Sequence, residues 1–227
     1  MSGESKGGYQ IHEWENLKGP FNASYGKVMM WYFLISDTFI FAAFLIAYAA
    51  ARMANVNTWP MASEVFNTVP GLSGHAYPLV FVSFMTFVLI ISSVTMVRAV
   101  QEGHMMNRMG VVKFLIPTIL MGLTFLGCQY LEWTHLIHEG MTMWHTPFHP
   151  AGSAIGSNQF GMFFFTITGF HGLHVITGVS INIWLLVETL KGRFDKIGNY
   201  GMVEKVGLFW HFVDLVWVYV FLAYYLL

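Results

Sequence analysis

Five stretches of the chain are apolar almost without interruption: residues 28–51, 76–97, 114–131, 160–187 and 206–227. A helix that crosses the hydrocarbon core of a bilayer takes about 20 predominantly apolar residues. The pattern therefore predicts an all-α polytopic membrane protein, a bundle of five transmembrane helices. Residues 1–26 are polar and mixed in charge, with Glu4, Lys6, Glu13, Glu15 and Lys18. They lack the short apolar core and small-residue cleavage pattern of a signal peptide, so the first stretch is expected to persist as a helix. The division is an N-terminal segment, 1–26, and a membrane domain, 27–227.

Finer features follow from the same pattern. The segments 52–75 (Pro60, Pro70, Gly71, Gly74) and 138–158 carry the turn-forming residues of irregular loops. The second stretch has no charge and is expected to face lipid more than its neighbours. Pro117 falls near the start of the third stretch, where a helix loses few backbone bonds to it. Gly161, Gly169, Gly172 and Gly178 punctuate the fourth, as suits close helix approach. The run FGMFFF (160–165) reads as lipid- or helix-facing packing, and Tyr224 and Tyr225 suit an interfacial aromatic belt.

Composition narrows the class. The chain is 56% hydrophobic and 10% charged, against about 25% charged in an average soluble domain. No region remains for a sizeable soluble domain, and nothing suggests nucleic acid as a partner. Of the eleven Lys and Arg residues, all but Arg52 fall in the N-terminal segment and in 98–113 and 188–205, or at their edges. Basic loops stay cytoplasmic, which predicts the N-terminus inside and the C-terminus outside. Cys128 is the single cysteine, so an internal disulfide, a CxxC pair and a haem-attachment motif are excluded.

Ionisable residues inside the spans are costly and need a partner or a function. By position, Asp37, His171, His174, His211 and Asp214 form an inner group, and Gln129, Glu132 and His135 an outer one. His171/His174, His211/Asp214 and Glu132/His135 are i,i+3 pairs, each on one side of its helix. One reading makes them polar cross-links between helices. A second places His171 and His211 at equal depth as haem ligands. A third takes Glu132-x-x-His135 as half of a di-iron site, although no second Glu-x-x-His is present. Asp37 reads as a proton-relay acid or as a carboxyl with a single partner. His145 and His149, near Met141, Met143 and Trp144, are candidates for a peripheral metal or for partner contacts.

Four segments carry a resemblance to a known family. FWHFVDLVW (209–217), FFFTITGFHGLHVITG (163–178), CQYLEW (128–133) and WYFLISDTFIFAAFLIAY (31–48) resemble motifs of subunit III of the haem–copper oxidases, as in cytochrome c oxidase. The resemblance covers essentially residue 27 to the end. It implies a subunit without haem, copper or catalytic centre of its own, and no catalytic, cofactor or metal residue is expected in this chain. Haems and copper are expected in partner subunits: subunit I as the main partner, subunit II and a small subunit IV, in a bacterial inner membrane. The implied role is to pack on the catalytic subunit and sustain proton uptake and turnover as oxygen is reduced to water, with bound phospholipid. Gln129, Glu132, His171, His174, His211 and Asp214 then become a bundle-internal polar network. Asp37, Lys191, Arg193 and Glu204 become contacts to lipid or to the proton-intake region.

The chain also departs from the family pattern. It begins at what is the third helix of longer members. It has Asp37 where many have glutamate, as the quinol-oxidising branch does, and Glu188 where some place a basic residue. Cytochrome c is the expected electron donor with quinol as the alternative, and membership of a larger respiratory assembly is left open.

Overall fold

The computed structural model describes residues 25–60, 65, 80–147 and 158–226. The expectations that rest on residues 1–24, Pro70, Gly71, Gly74 and His149 fall outside them. Five helices are long and apolar enough to cross a membrane. They are α1 (Tyr25–Ala54), α2 (Val80–His104), α3 (Arg108–His138), α4 (Asn158–Leu190) and α5 (Gly201–Phe221). Helix α5 continues into a wider π-helical turn, Leu222–Leu226. A one-turn helix, Arg193–Ile197, links α4 to α5.

The helices run past the apolar stretches. Residues 98–113 form no loop of that length: α2 continues to His104 and α3 starts at Arg108. Only Met105, Met106 and Asn107 turn the chain, with Met106 in the left-handed region (φ 57°) and Asn107 capping α3 by accepting from the Gly110 N–H. Polarity marks where a helix leaves hydrocarbon, whereas backbone hydrogen bonding carries it further. Pro117 accordingly sits at the tenth position of α3, well inside the helix, where its ring deprives the Lys113 carbonyl of its usual donor.

Helices α2, α3, α4 and α5 form a four-sided bundle: α2 packs on α3 and α5, and α4 on α3 and α5. Helix α1 lies outside it, in the groove between α4 and α5. It buries only Leu34, Asp37, Phe41 and Tyr48. Helix α2, without charge until Arg98 and Glu102 near its end, is the most lipid-exposed of these four helices, as its composition predicts, and α1 alone is more exposed. The face that α2 buries is a stripe running Val82, Met85, Thr86, Leu89, Ser92, Ser93, Met96, Ala99 and Gly103. Small and hydroxyl-bearing residues let it approach its neighbours, and in lipid close packing drives association more than hydrophobicity does.

Alternation of helix direction gathers Lys27, Arg98, Arg108, Lys113, Lys191, Arg193, Lys196 and Lys205 at one end of the bundle. Among the described residues the far end has Arg52 as its single Lys or Arg. The far end is closed by aromatic packing. Tyr48, Trp59, Phe160, Phe164 and Tyr224 interlock, with Tyr48 and Tyr224 ring centroids 4.3 Å apart. Tyr224 and Tyr225 are buried and do not form an interfacial belt. They lie in the π-helical turn at the end of α5, and both pack into the bundle.

Candidate functional site

The centre of the bundle is organised around Trp210 of α5. A Cβ on Gly122 of α3 would lie 2.8 Å from its ring, and one on Gly178 of α4 would lie 2.9 Å from it. Only glycine at these two positions leaves room for the indole. Its Nε1–H donates to Ser92 Oγ of α2 at 3.1 Å, so one side chain touches the other three helices. Two turns outward Trp217 repeats the device, donating to Thr86 Oγ1 at 3.0 Å and meeting Phe125 edge-on at 4.7 Å.

The inner ionisable residues divide between partners. His174 Nδ1 lies 2.8 Å from the Phe170 carbonyl. A carbonyl only accepts, so Nδ1 carries a hydrogen. His174 Nε2 faces Asp37 Oδ2 of α1 at 3.3 Å. With Nδ1 protonated, neutral imidazole has only a lone pair at Nε2. Attraction to Asp37 therefore requires one further proton, held either on the carboxyl or on Nε2. Asp37 is buried against the bundle with this one ionisable partner; among the described residues no second acid stands beside it to continue a relay.

Asp214 pairs elsewhere, accepting from Ser93 Oγ of α2 at 2.6 Å. His171 is enclosed by aromatic rings, 5.2 Å from Trp217, 6.0 Å from Phe125 and 6.4 Å from Phe41 between centroids. His211 lines a cavity of about 300 Å³ with Lys27, Trp31, Val97, Glu204 and Lys205.

His171 and His211 are not at equal depth. Antiparallel packing puts Gly178 beside Trp210 and His171 beside Trp217. His211 is then level with Thr177, roughly 9 Å along the helix axis from His171. One ring is walled in by aromatics while the other opens towards α1 and α2, so they do not flank a common space for a haem.

The outer group is equally committed. Glu132, buried in α3, accepts from Gln129 Nε2 at 3.1 Å and from the Tyr225 hydroxyl at 2.8 Å. His135 lies 3.6 Å from Glu139 instead, which parts the two members of the Glu-x-x-His pair. Among the described residues no three or more His, Cys, Asp or Glu converge as metal ligands. His145 is exposed on a turn closed by backbone bonds between Thr142 and His145.

At the basic end, Glu188 accepts from Lys191 at 3.2 Å and from Arg193 at 3.0 Å. Lys27 of α1 pairs with Glu204 of α5 at 2.7 Å. Arg108 donates to the Leu190 carbonyl and stands near Asp195, which accepts from the Tyr200 hydroxyl. This clasp ties the start of α3 to the end of α4 and the start of α5. Burial, and secondarily the Asp195 carboxylate, push the Tyr200 phenol up to about 12. A second cavity, about 540 Å³ and almost wholly apolar, lies between α1, α4 and α5; Phe33, Leu173, His174, Trp184 and Phe209 line it, and Lys205 contributes a cation.

Comparison with known proteins agrees with this architecture. The family model described as cytochrome c oxidase subunit III matches residues 19–227. The chain belongs to the cytochrome c oxidase subunit III family. It is 32% identical to the probable cytochrome c oxidase subunit 3 of Mycobacterium leprae over 212 residues, covering 92% of this chain and 90% of that one. It is 32% identical over 200 residues to the cytochrome bo(3) ubiquinol oxidase subunit 3 of Pseudomonas aeruginosa, covering 87% and 82%. With the quinol oxidase subunit 3 of Bacillus spizizenii identity is 36% over 146 residues, but the match spans 64% of this chain and 65% of that protein. The family and the five spans make this a multi-pass protein of a bacterial inner membrane, a subunit 3 of a respiratory haem–copper oxidase that associates with other oxidase subunits.

Proposed function

We propose that this chain is the non-redox subunit III of a proton-translocating terminal oxidase fed by cytochrome c. It packs on subunit I beside subunit II and a small subunit IV, which together hold or surround the haems and copper. Its contribution is to sustain proton uptake and stable turnover as oxygen is reduced to water. The observation that carries this reading is the family match over residues 19–227, taken with the commitment of Glu132, His174 and Asp214 to helix-to-helix contacts. A residue bound into bundle contacts serves architecture, and no catalytic centre is assigned to this chain. Cytochrome c as donor is supported by relatives named for it that match nine-tenths of their own length.

The basic end faces the cytoplasm in this reading, by the rule that basic loops stay inside. Phospholipid is the expected companion: an acyl chain suits the apolar cavity beside α1, which Lys205 lines, and Lys191 and Arg193, paired with Glu188, add cations at the basic end of the bundle. Asp37 stands behind His174 of that cavity, and Glu204 lines the smaller cavity, which shares Lys205 with it.

Quinol as donor is the second reading, favoured by Asp37 in place of glutamate and by the identity to the Bacillus quinol oxidase subunit. The complex purified through a tag on this chain separates the two. Oxygen consumption with reduced cytochrome c and not with a short-chain quinol is the expected outcome. The reverse transfers the chain to the quinol branch, and consumption with neither overturns membership of a working oxidase.

A further inference from the structure

Asn182 of α4 is fully buried, and neither its amide nitrogen nor its oxygen reaches a hydrogen-bond partner among the described residues. A carboxamide offers two donors and two lone pairs, and protein interiors rarely leave such groups unpaired. Its surroundings follow from helix register. Helices α3 and α4 are antiparallel and touch where Gly122 meets Val179. One turn towards the basic end, Thr118 and Asn182 therefore stand at the same level. Thr118 Oγ1 is 2.8 Å from Thr95 Oγ1 of α2, and Gly207 against Met96 closes the layer from α5. Directly below the Trp210 pin, two buried polar side chains, Thr118 and Asn182, and the half-buried Thr95 thus bring three helices together in one layer.

The two threonines retain capacity to accept. Each hydroxyl lies within reach of a carbonyl of its own helix, Ser92 at 2.8 Å for Thr95 and Phe114 at 2.9 Å for Thr118, which leaves lone pairs on both oxygens. Asn182 makes no direct bond to them. Polar groups at one level but beyond hydrogen-bond reach are the setting in which a water bridges, and an internal water needs two or more such partners. We infer that an ordered water occupies this layer, accepting from the Asn182 amide and donating to the Thr118–Thr95 hydroxyl pair. It links α4 to α3 and α2, just as Trp210 links α5 to α2. The water site fixes the rotational setting of α4 and does not depend on which donor feeds the oxidase.

The test is a high-resolution map of the intact complex containing this chain, together with the temperature at which the subunit is released from it. The wild-type map is expected to show a peak within hydrogen-bond range of Asn182 and of a threonine hydroxyl. Asn182→Leu loses that peak. The release temperature of Asn182→Leu/Thr118→Val falls no further than that of the worse single variant, because both lose one shared water. A wild-type map in which the Asn182 amide bonds a carbonyl of its own helix, with no peak beside it, overturns the inference. So do additive shifts. If the variants fail to assemble, the wild-type map decides alone.

Discussion

Replacing Asp37 by leucine removes the buried group that faces His174 across the α1–α4 contact, 3.3 Å away. His174 then keeps its bond to Phe170 but has no partner for Nε2. Leaving one member of a buried polar pair unsatisfied costs about 1–3 kcal/mol, whereas polar contacts measured within membrane bundles average about 0.6 and reach about 1.7 kcal/mol. His174 is half-buried beside an apolar cavity, so a loss of about 1–2 kcal/mol is expected, some 5- to 30-fold in the docking equilibrium of α1. Helix α1 buries four residues in the bundle, so this is a large share of what holds it. Asp37→Asn keeps the contact, because its amide donates to Nε2, and should fall within about 0.5 kcal/mol of wild type. The double variant Asp37→Leu/His174→Leu should regain most of the loss, since removing both partners leaves nothing unpaired. The assay is the denaturant midpoint for exposure of a cysteine introduced at the α1–α4 contact, with Cys128 replaced by serine. An Asp37→Asn effect as large as that of Asp37→Leu, or a double variant worse than either single one, refutes the shared-proton contact.

Other expectations follow from the same geometry. Gly122→Leu or Gly178→Leu drives a side chain into Trp210 and should abolish accumulation of the subunit in membranes, while Gly127→Ala, whose Cβ meets nothing within 4 Å, leaves it unchanged on immunoblots. Tyr225→Phe removes one of the two donors to Glu132 and should lower the melting temperature of the assembled subunit by a cost of about 1 kcal/mol; Glu132→Gln should be milder than Glu132→Leu. Tyr200 has its phenol raised to about 12 in the folded protein, against about 10 unfolded. The clasp is therefore fully present below pH 10 and is lost as pH rises through 12. In a spectrophotometric titration, Tyr200→Phe should remove a late-ionising phenol; disappearance of an early one contradicts the assignment.

Much of the architecture was legible because lipid imposes a simple rule on composition. The five apolar stretches and the basic asymmetry gave the spans and sorted their ends. Helix ends were not legible: α2 runs through Arg98, Gln101 and Glu102 to His104, since leaving hydrocarbon does not oblige a helix to stop. The lipid exposure of α2 was legible in its lack of charge from Val80 to Val97, whereas the stripe it buries through Thr86, Ser92, Ser93 and Ala99 was not. Tyr224 and Tyr225 looked interfacial because chain position alone does not show that both pack inward.

The polar residues were found, but their pairings were not. Whether Asp37 meets His174 and Asp214 meets Ser93 depends on the rotation of each helix about its axis. Trp210 lies in the segment FWHFVDLVW, but its role as the pin of the bundle depends on Gly122 and Gly178, which sit on different spans and face its ring.

The most direct measurement is a reduced-minus-oxidised spectrum of material purified gently through a tag on this chain, repeated after harsher detergent strips its partners. A non-redox subunit III predicts haem bands in the gentle preparation and none on the stripped chain. Haem bands that stay with the stripped, folded chain would contradict that account and return His171 and His211 to consideration as ligands.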